Sequence, residues 1–408
     1  MTLVRSKTWR RIVAALWSGA LLLTLLLPSV NAQTRRPRHT VSAQQQQPVR
    51  VPQLPPATQT ATPTPTPKQT PSPTPAQTPA DAIDDDEVIR VTSNLVVVPA
   101  SVTTTAGEPV QGLKPADFHL EEEGRAQEIA QVGDAEQVPL DIAILFDVSS
   151  SVTAKNFFTF QQQAAARFLK DVLKPIDRAA IITIADKATL VQPFTNAADA
   201  TAKLVTIPAA DRSVPTAFYD SVSFAAKYLN DNAPGRHRRV ILVISDGDDN
   251  FSNAVREQTV AEYEAQRKAE EAGGDRPQAV RAAAHADLEA RHHRAVTTVQ
   301  RDVQRADIVF YSINPGGPSI RLNESATRAQ NSMQQIADAT GGTAYVPDNA
   351  DALATVFRQI ANELRAQYLL QYYSNSNAPN GKYLTIKVSS PTHPDLRIRA
   401  RQGYYAKK

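Results

Sequence analysis

Cysteine is absent from all 408 residues. Without thiols the chain can form no disulfide, no thiolate metal site, no cysteine nucleophile and no lipidated cysteine behind a signal peptide. An excess of either charge is missing too: 44 Lys and Arg stand against 41 Asp and Glu, a formal net charge of +3. No basic stripe with interleaved aromatic residues appears, so the electrostatic footprint of a nucleic-acid binder is lacking. What the chain does have is length and apolar content. At 42% hydrophobic and 21% charged, it can bury more than one core, and an exported protein of this size needs no disulfide to do so.

The amino terminus carries Arg5, Lys7, Arg10 and Arg11, then a mostly apolar run from Ile12 to Leu27, then the small residues of Val30-Asn31-Ala32. This pattern predicts a signal peptide over 1–32 and export to the periplasm, the cell surface or the medium. An uncleaved anchor is the alternative, for which the apolar run is slightly short. With the signal removed, no membrane span is expected. Over 33–86 the composition falls to Gln, Pro, Thr and Ala, including Thr62-Pro63-Thr64-Pro65-Thr66-Pro67. Repeated proline blocks helix and sheet, so this stretch reads as a disordered, extended spacer.

The remainder divides by period. Residues 87–137 alternate like β-structure, with Leu95-Val96-Val97-Val98 the strongest run, and 367–408 supply Tyr368-Leu369-Leu370-Gln371-Tyr372-Tyr373 and two further strands. Neither end holds enough strands for a secure sheet alone. Together they predict one small β-sandwich, with the segment 138–366 lying between its halves. That middle alternates strand and helix. Its strands contain Leu140 to Asp147, Ile181 to Ile184, Val240 to Ile244 and Ile308 to Ile313. Apolar stripes at helical spacing fall on Phe157, Phe160, Ala164, Phe168 and Val172, on Phe218, Val222, Ala225 and Leu229, and on Leu353, Phe357, Ile360 and Leu364. The fold class expected is α/β, a doubly wound and mostly parallel sheet flanked by the sandwich. A helical insert at 253–306, broken near Gly273-Gly274, exceeds what such a unit needs. Its His285, His292 and His293 have the spacing to bind a metal, although histidines on such a surface are more often solvated.

The chemistry gathers where apolar strands end. Asp147, Ser149 and Ser151 follow a run buried on both faces, and alternation in a tight loop aims one carboxylate and two hydroxyls at one spot while turning Ser150 away. Asp246 ends a second buried strand. Thr216 opens a helix, with a hydroxyl available for N-capping. These five residues suit a hard divalent ion, Mg²⁺ or else Mn²⁺ or Ca²⁺. Asp147 and Asp246 bind it directly or orient its waters, and Ser149, Ser151 and Thr216 give neutral oxygens. Two carboxylates only balance the ion's charge, so it can still attract an Asp or Glu from a partner protein. Asp248 and Asp249 read as loop solvation. The main competing class is a metal-dependent hydrolase or phosphoryl-transfer enzyme with Asp147 as nucleophile. Against it, the chain has no Gly-x-Ser-x-Gly elbow, no phosphate-cradling loop, and no histidine near the cluster in sequence.

The Asp-x-Ser-x-Ser loop, the Thr and the following Asp resemble the metal-ion-dependent adhesion site of von Willebrand factor type A domains over roughly 138–366. The flanks, with Glu108-Pro109-Val110-Gln111-Gly112-Leu113 and Arg401-Gln402-Gly403-Tyr404-Tyr405, are similar to an exported bacterial group carrying a related domain. The resemblance implies a non-enzymatic protein-binding module whose metal ligands are Asp147, Ser149, Ser151, Thr216 and Asp246. Departures are Pro215, where a Gly commonly precedes the Thr, and the long helical insert.

Overall fold

A computed structural model describes residues 94–407 apart from 154–157, 211–212, 257–259 and 318–322. The signal peptide and proline-rich spacer expected over 1–32 and 33–86 lie outside the described residues, as does Phe157. Among the described residues no helix is long and apolar enough to cross a membrane.

The middle of the chain builds around β5 (Leu140–Asp147), every residue of which is buried. Its neighbours are β6 (Arg178–Ile184) and β8 (Arg238–Ile244), both parallel to it. β9 (Ile308–Ile313) and the two-residue β10 (Ala344–Tyr345) extend the sheet in parallel beyond β8. β7 (Thr189–Thr195) closes the other edge antiparallel to β6, with its register shifted. The six strands run in the order β10-β9-β8-β5-β6-β7.

Alternation along β5 sends Ile142, Ile144 and Phe146 to one face and Ala143 and Leu145 to the other. The first face is covered by α2 (Phe158–Val172), α3 (Ala197–Leu204) and α9 (Ala350–Ala366). The second is covered by α4 (Phe218–Asn232), by the last third of α7 (Arg276–Arg305), and by α8 (Glu324–Thr340). The stripes read on α4 and α9 are buried throughout. On α2 the expected Phe168 and Val172 are buried along with Phe158, Ala165, Ala166 and Leu169, while Phe160 and Ala164 lie at the margin. A short α1 (Ser150–Thr153) follows β5, and α5 (Asn253–Arg256) and α6 (Val260–Ala272) precede α7. The long helical stretch is not wholly additional to the core, because Val255, Ala295, Val296, Val299 and Val303 pack on the sheet, with Leu288 at the margin.

A carboxylate begins the central strand as well as ending it. Asp141 is fully buried, yet Arg178 grips it through two 2.8 Å bonds and His237 Nδ1 lies 2.8 Å from Oδ2. Paired and hydrogen-bonded in this way, the charge is compensated.

The two chain ends form two four-stranded antiparallel sheets. One has the order β13-β1-β11-β4, from β13 (Arg397–Ala400), β1 (Leu95–Thr103), β11 (Tyr368–Tyr373) and β4 (Ile129–Asp134). The other has the order β14-β12-β2-β3, from β14 (Gly403–Tyr405), β12 (Tyr383–Ser389), β2 (His119–Glu122) and β3 (Arg125–Gln127). Val98, Val102, Leu120, Leu370, Tyr372, Leu384 and Ile386 fill one core between the two sheets. The strand that leads into the middle, β4, is hydrogen-bonded to the strand that leads out, β11, with Gly133 opposite Leu369.

The carboxyl end of α8 abuts this sandwich. Gln402 N donates to the Ala339 carbonyl at 3.1 Å. Beside it, a Cβ on Gly342 would lie 1.9 Å from the Phe310 carbonyl oxygen, so only glycine fits there.

Candidate metal centre

Strand order reverses between β5 and β8: from β5 the chain crosses one face to β6, whereas β8 is reached from α4 on the opposite face. The carboxyl ends at such a switch point diverge into a crevice. Asp147 closes β5 there, and Ser245 and Asp246 follow β8.

Asp147 is wholly buried. Its Oδ1 accepts a hydrogen bond from the Ser149 backbone N–H at 2.7 Å, which turns the chain at once. Its Oδ2 accepts from the Ser245 hydroxyl at 2.5 Å. The same Ser245 oxygen accepts from Gly247 N–H at 3.0 Å, so one serine links both strand ends. Gly247 has φ +75°, and a Cβ there would lie 2.7 Å from Met333 Cε. The loop can lie against α8 only with glycine at this position.

The Ser149 and Ser151 hydroxyls lie 3.2 Å apart, the first buried and the second exposed. Ser150 faces away. Its hydroxyl bonds the N–H of Val214 at 2.6 Å and the carbonyl at 3.1 Å, fastening this loop to the one that carries Thr216. Thr216, 2% exposed, is held through its backbone. Its N–H donates to Asn250 Oδ1 at 2.9 Å, and its carbonyl accepts from the N–H groups of Asn250 and Phe251. Three loops are therefore stitched into one rim: 147–151 to 213–217, and 213–217 to 245–251. Asp147, Ser149 and Ser151 come together directly. Asp246, partly exposed, is near enough for its charge to act on Asp147. Thr216 stands in the adjoining loop.

Three expectations need correction. Thr216 does not cap α4; the N-cap residue is Ala217, and no side-chain cap bond forms from it. The first turn is satisfied from across the rim, where Asp249 Oδ2 accepts from Tyr219 N–H at 2.7 Å and Ser252 Oγ accepts from Asp220 N–H at 3.0 Å. Asp249 is accordingly not solvated. It is 3% exposed and also accepts from Ser252 N–H and from the Ser252 hydroxyl. Asp248 accepts from Ser325 Oγ at 2.5 Å, on the first turn of α8. His292 is likewise buried, 3% exposed, and lies 3.1 Å from the Tyr219 hydroxyl, leaving His285 and His293 at the surface.

Sequence reasoning passed over Ser245 and Asp249. A serine directly after a buried apolar strand and before Asp-Gly was the available signal for Ser245. For Asp249 the available signal was Ser252 three residues on, whose N–H and hydroxyl it accepts; its bond from Tyr219 on α4 had none.

Burial pushes the Asp147 carboxyl up to about 6; the Asp246 charge adds to the rise, and the bonds from Ser149 and Ser245 oppose it. Two acids and two adjacent hydroxyls thus share a small volume without a basic side chain among the interactions that set the Asp147 pKa. A divalent cation would supply the missing positive charge, and the donor set is all oxygen, as a hard ion requires. The residues fit such an ion: Ser149, Ser151 and Asp246 would hold it, with Thr216 in reach of the same rim. Asp147, both oxygens already engaged, would orient the loop.

The family model described as von Willebrand factor type A domain matches residues 142–248. No curated protein matches the chain. Among solved structures, an aerotolerance-related membrane protein from Bacteroides fragilis is similar at 18% identity, covering 55% of this chain and 98% of that one, with a TM-score of 0.33. The vWF domain of the type V pili tip protein Mfa5 from Porphyromonas gingivalis is similar at 14% identity, covering 55% and 94%, with a TM-score of 0.39. Proximal thread matrix protein 1 from the mussel byssus, with a zinc-occupied MIDAS motif, is similar at 15% identity, covering 60% and 50%, with a TM-score of 0.36. Likenesses this distant leave the reading of the site to its own geometry.

Proposed function

We propose that this chain, which carries a von Willebrand factor type A domain over 142–248, is an exported binding protein that grips an acidic residue of a partner protein through a divalent cation held at the rim. The observation that carries the reading is the Asp147 network. A buried carboxylate spends both oxygens on Ser149 N–H and Ser245 Oγ, and so presents the Ser149 and Ser151 hydroxyls beside the Asp246 charge. With two carboxylates against a doubly charged ion, the ion stays attractive to a third carboxylate from outside. Mg²⁺ is the first choice, with Mn²⁺ and Ca²⁺ as the other oxygen-seeking ions. The signal peptide and proline-rich spacer read at 1–86 would then export the rim and hold it away from its point of attachment.

The same network weighs against the hydrolase reading. A nucleophile must reach its substrate, and Asp147 is wholly buried with both oxygens occupied.

The test is capture of surface proteins from cell extract by the full exported chain, with Mg²⁺ or with chelator. Capture is expected with the ion, to be lost in chelator, and to fall at least about tenfold in Ser151→Ala, whose exposed hydroxyl is not needed for folding. Capture that is equal in chelator and in Ser151→Ala defeats the proposal.

A further inference from the structure

We infer that the helical layer holds a second metal site, separate from the rim, in which His285, Glu289 and Glu324 bind a borderline transition ion of the zinc type and clamp α7 to α8. His285 and Glu289 stand one helical turn apart on α7, spaced i and i+4, and therefore share a face. Glu324 is the first residue of α8. One ligand atom of each lies within 4.8 Å of the other two, and His285 Nε2 is already 2.9 Å from Glu324 Oε1. Zinc holds nitrogen and carboxylate oxygen at about 2.0–2.2 Å in a tetrahedron, which sets neighbouring ligand atoms roughly 3.4 Å apart. Small rotations of three solvent-facing side chains reach that arrangement.

The donor set identifies the ion class. One imidazole nitrogen with two carboxylates suits zinc and its neighbours, whereas the all-oxygen rim suits a hard ion. Three protein ligands leave a position for water.

The scaffold is rigid on both sides. α7 is anchored just beyond the site by buried His292, and the first turn of α8 is capped by Asn323, whose Oδ1 accepts from Ala326 N–H at 2.8 Å. Arg328, one turn into α8, pairs with Glu289 and fixes the orientation of that carboxylate. The helices run side by side in the same direction. Gln335 meets Gln300 at 3.1 Å, and Gln304 reaches the Ala339 carbonyl at 3.2 Å. The clamp closes the end of this pair opposite to the sandwich. Ser325, next to Glu324, holds Asp248, so a loaded clamp also steadies the loop that carries Asp246. The inference does not depend on the function proposed for the rim.

The experiment is a zinc titration of the full chain by calorimetry in excess Mg²⁺, paired with the visible spectrum of the Co²⁺-loaded protein. Wild type and Asp246→Asn, which alters only the rim, are expected to bind one equivalent of zinc and to show the same cobalt absorption. His285→Ala, a surface change checked for intact helices by circular dichroism, is expected to bind at least about tenfold more weakly and to lose the cobalt band. Glu324→Gln should fall between the two. Equal zinc affinity in His285→Ala and wild type overturns the inference. So does loss of the zinc equivalent in Asp246→Asn alone.

Discussion

Asp147 and Glu122 are both buried carboxylates without a basic partner, and they sit in different halves of the molecule. In the sandwich, Glu122 Oε2 accepts from the Tyr372 and Tyr404 hydroxyls at 2.6 and 2.9 Å, and Oε1 accepts from Ser374 Oγ at 2.8 Å. At the rim, Asp147 accepts from the Ser149 amide and from the Ser149 and Ser245 hydroxyls, but it has a second acid, Asp246, in its field, and burial still holds its pKa up. The first carboxylate is saturated by neutral donors that meet only when β2, β11 and β14 are in place. It locks two sheets. The second is compensated only in part, and its surroundings still lack positive charge. Saturation makes structure; incomplete compensation leaves room for a ligand.

The largest expected effect breaks the lock. Glu122→Ala strands three buried hydroxyls and should cost about 4 kcal/mol in urea unfolding, equally with Mg²⁺ or chelator. A cost that disappears when Mg²⁺ is added would erase the distinction between the two carboxylates.

The next effect is at Asp147 and carries a sign. Its folded pKa of about 6 lies above the ordinary 3.8, so its contribution to stability is complete below about pH 3.8 and is gone once pH has risen through about 6. That amounts to about 3 kcal/mol for the metal-free protein. His292 works in the opposite direction. Burial pushes its pKa down to about 4, so its contribution is complete above about 6.5 and is lost as pH falls towards 4, with a slope of at most about 1.4 kcal/mol per pH unit. Subtracting the Asp147→Asn profile from wild type cancels the histidine and isolates the carboxylate. A flat difference between pH 4 and 6 would show that the charge of Asp147 is fully compensated at the rim.

A smaller change sharpens the view of the rim. Ser150→Ala removes both side-chain bonds to Val214 and should cost about 1 kcal/mol in thermal unfolding, weakening cation-dependent capture without abolishing it. Smallest of all, Lys227→Ala on the solvent face of α4 breaks an i,i+4 pair with Asp231 and should leave thermal unfolding unchanged within error. It serves as the baseline for the others.

What could be read in advance follows from range. The apolar run of β5 and the Asp-x-Ser-x-Ser that ends it are contiguous, so composition and alternation disclose both. The stripes on α4 and α9 are equally local. Nothing local distinguishes Glu122 from its acidic neighbours Glu121 and Glu123, because its three hydroxyl partners lie 250 residues or more away. Asp249 was misread partly for the same reason, since its bond from Tyr219 on α4 spans 30 residues, although its bonds from Phe251 and Ser252 are local. The edge strand β7 has neither period. Its residues are mostly half-buried and include Pro193, which a central strand would not tolerate. His292 turned inward because α7 serves the core over its final turns, a role that its charged composition concealed.

The pairing of β4 with β11 has a kinetic consequence. The segment from Ala135 to Gln367 leaves and returns through neighbouring strands of one sheet, like a bag drawn shut at the neck. Neither extremity of the central α/β layer can peel away by itself, so opening must start inside it or wait for the knot to loosen. Closing so wide a loop is slow, because the entropy of bringing its ends together is spent before the sheet returns any contact. Once tied, it should let go all at once.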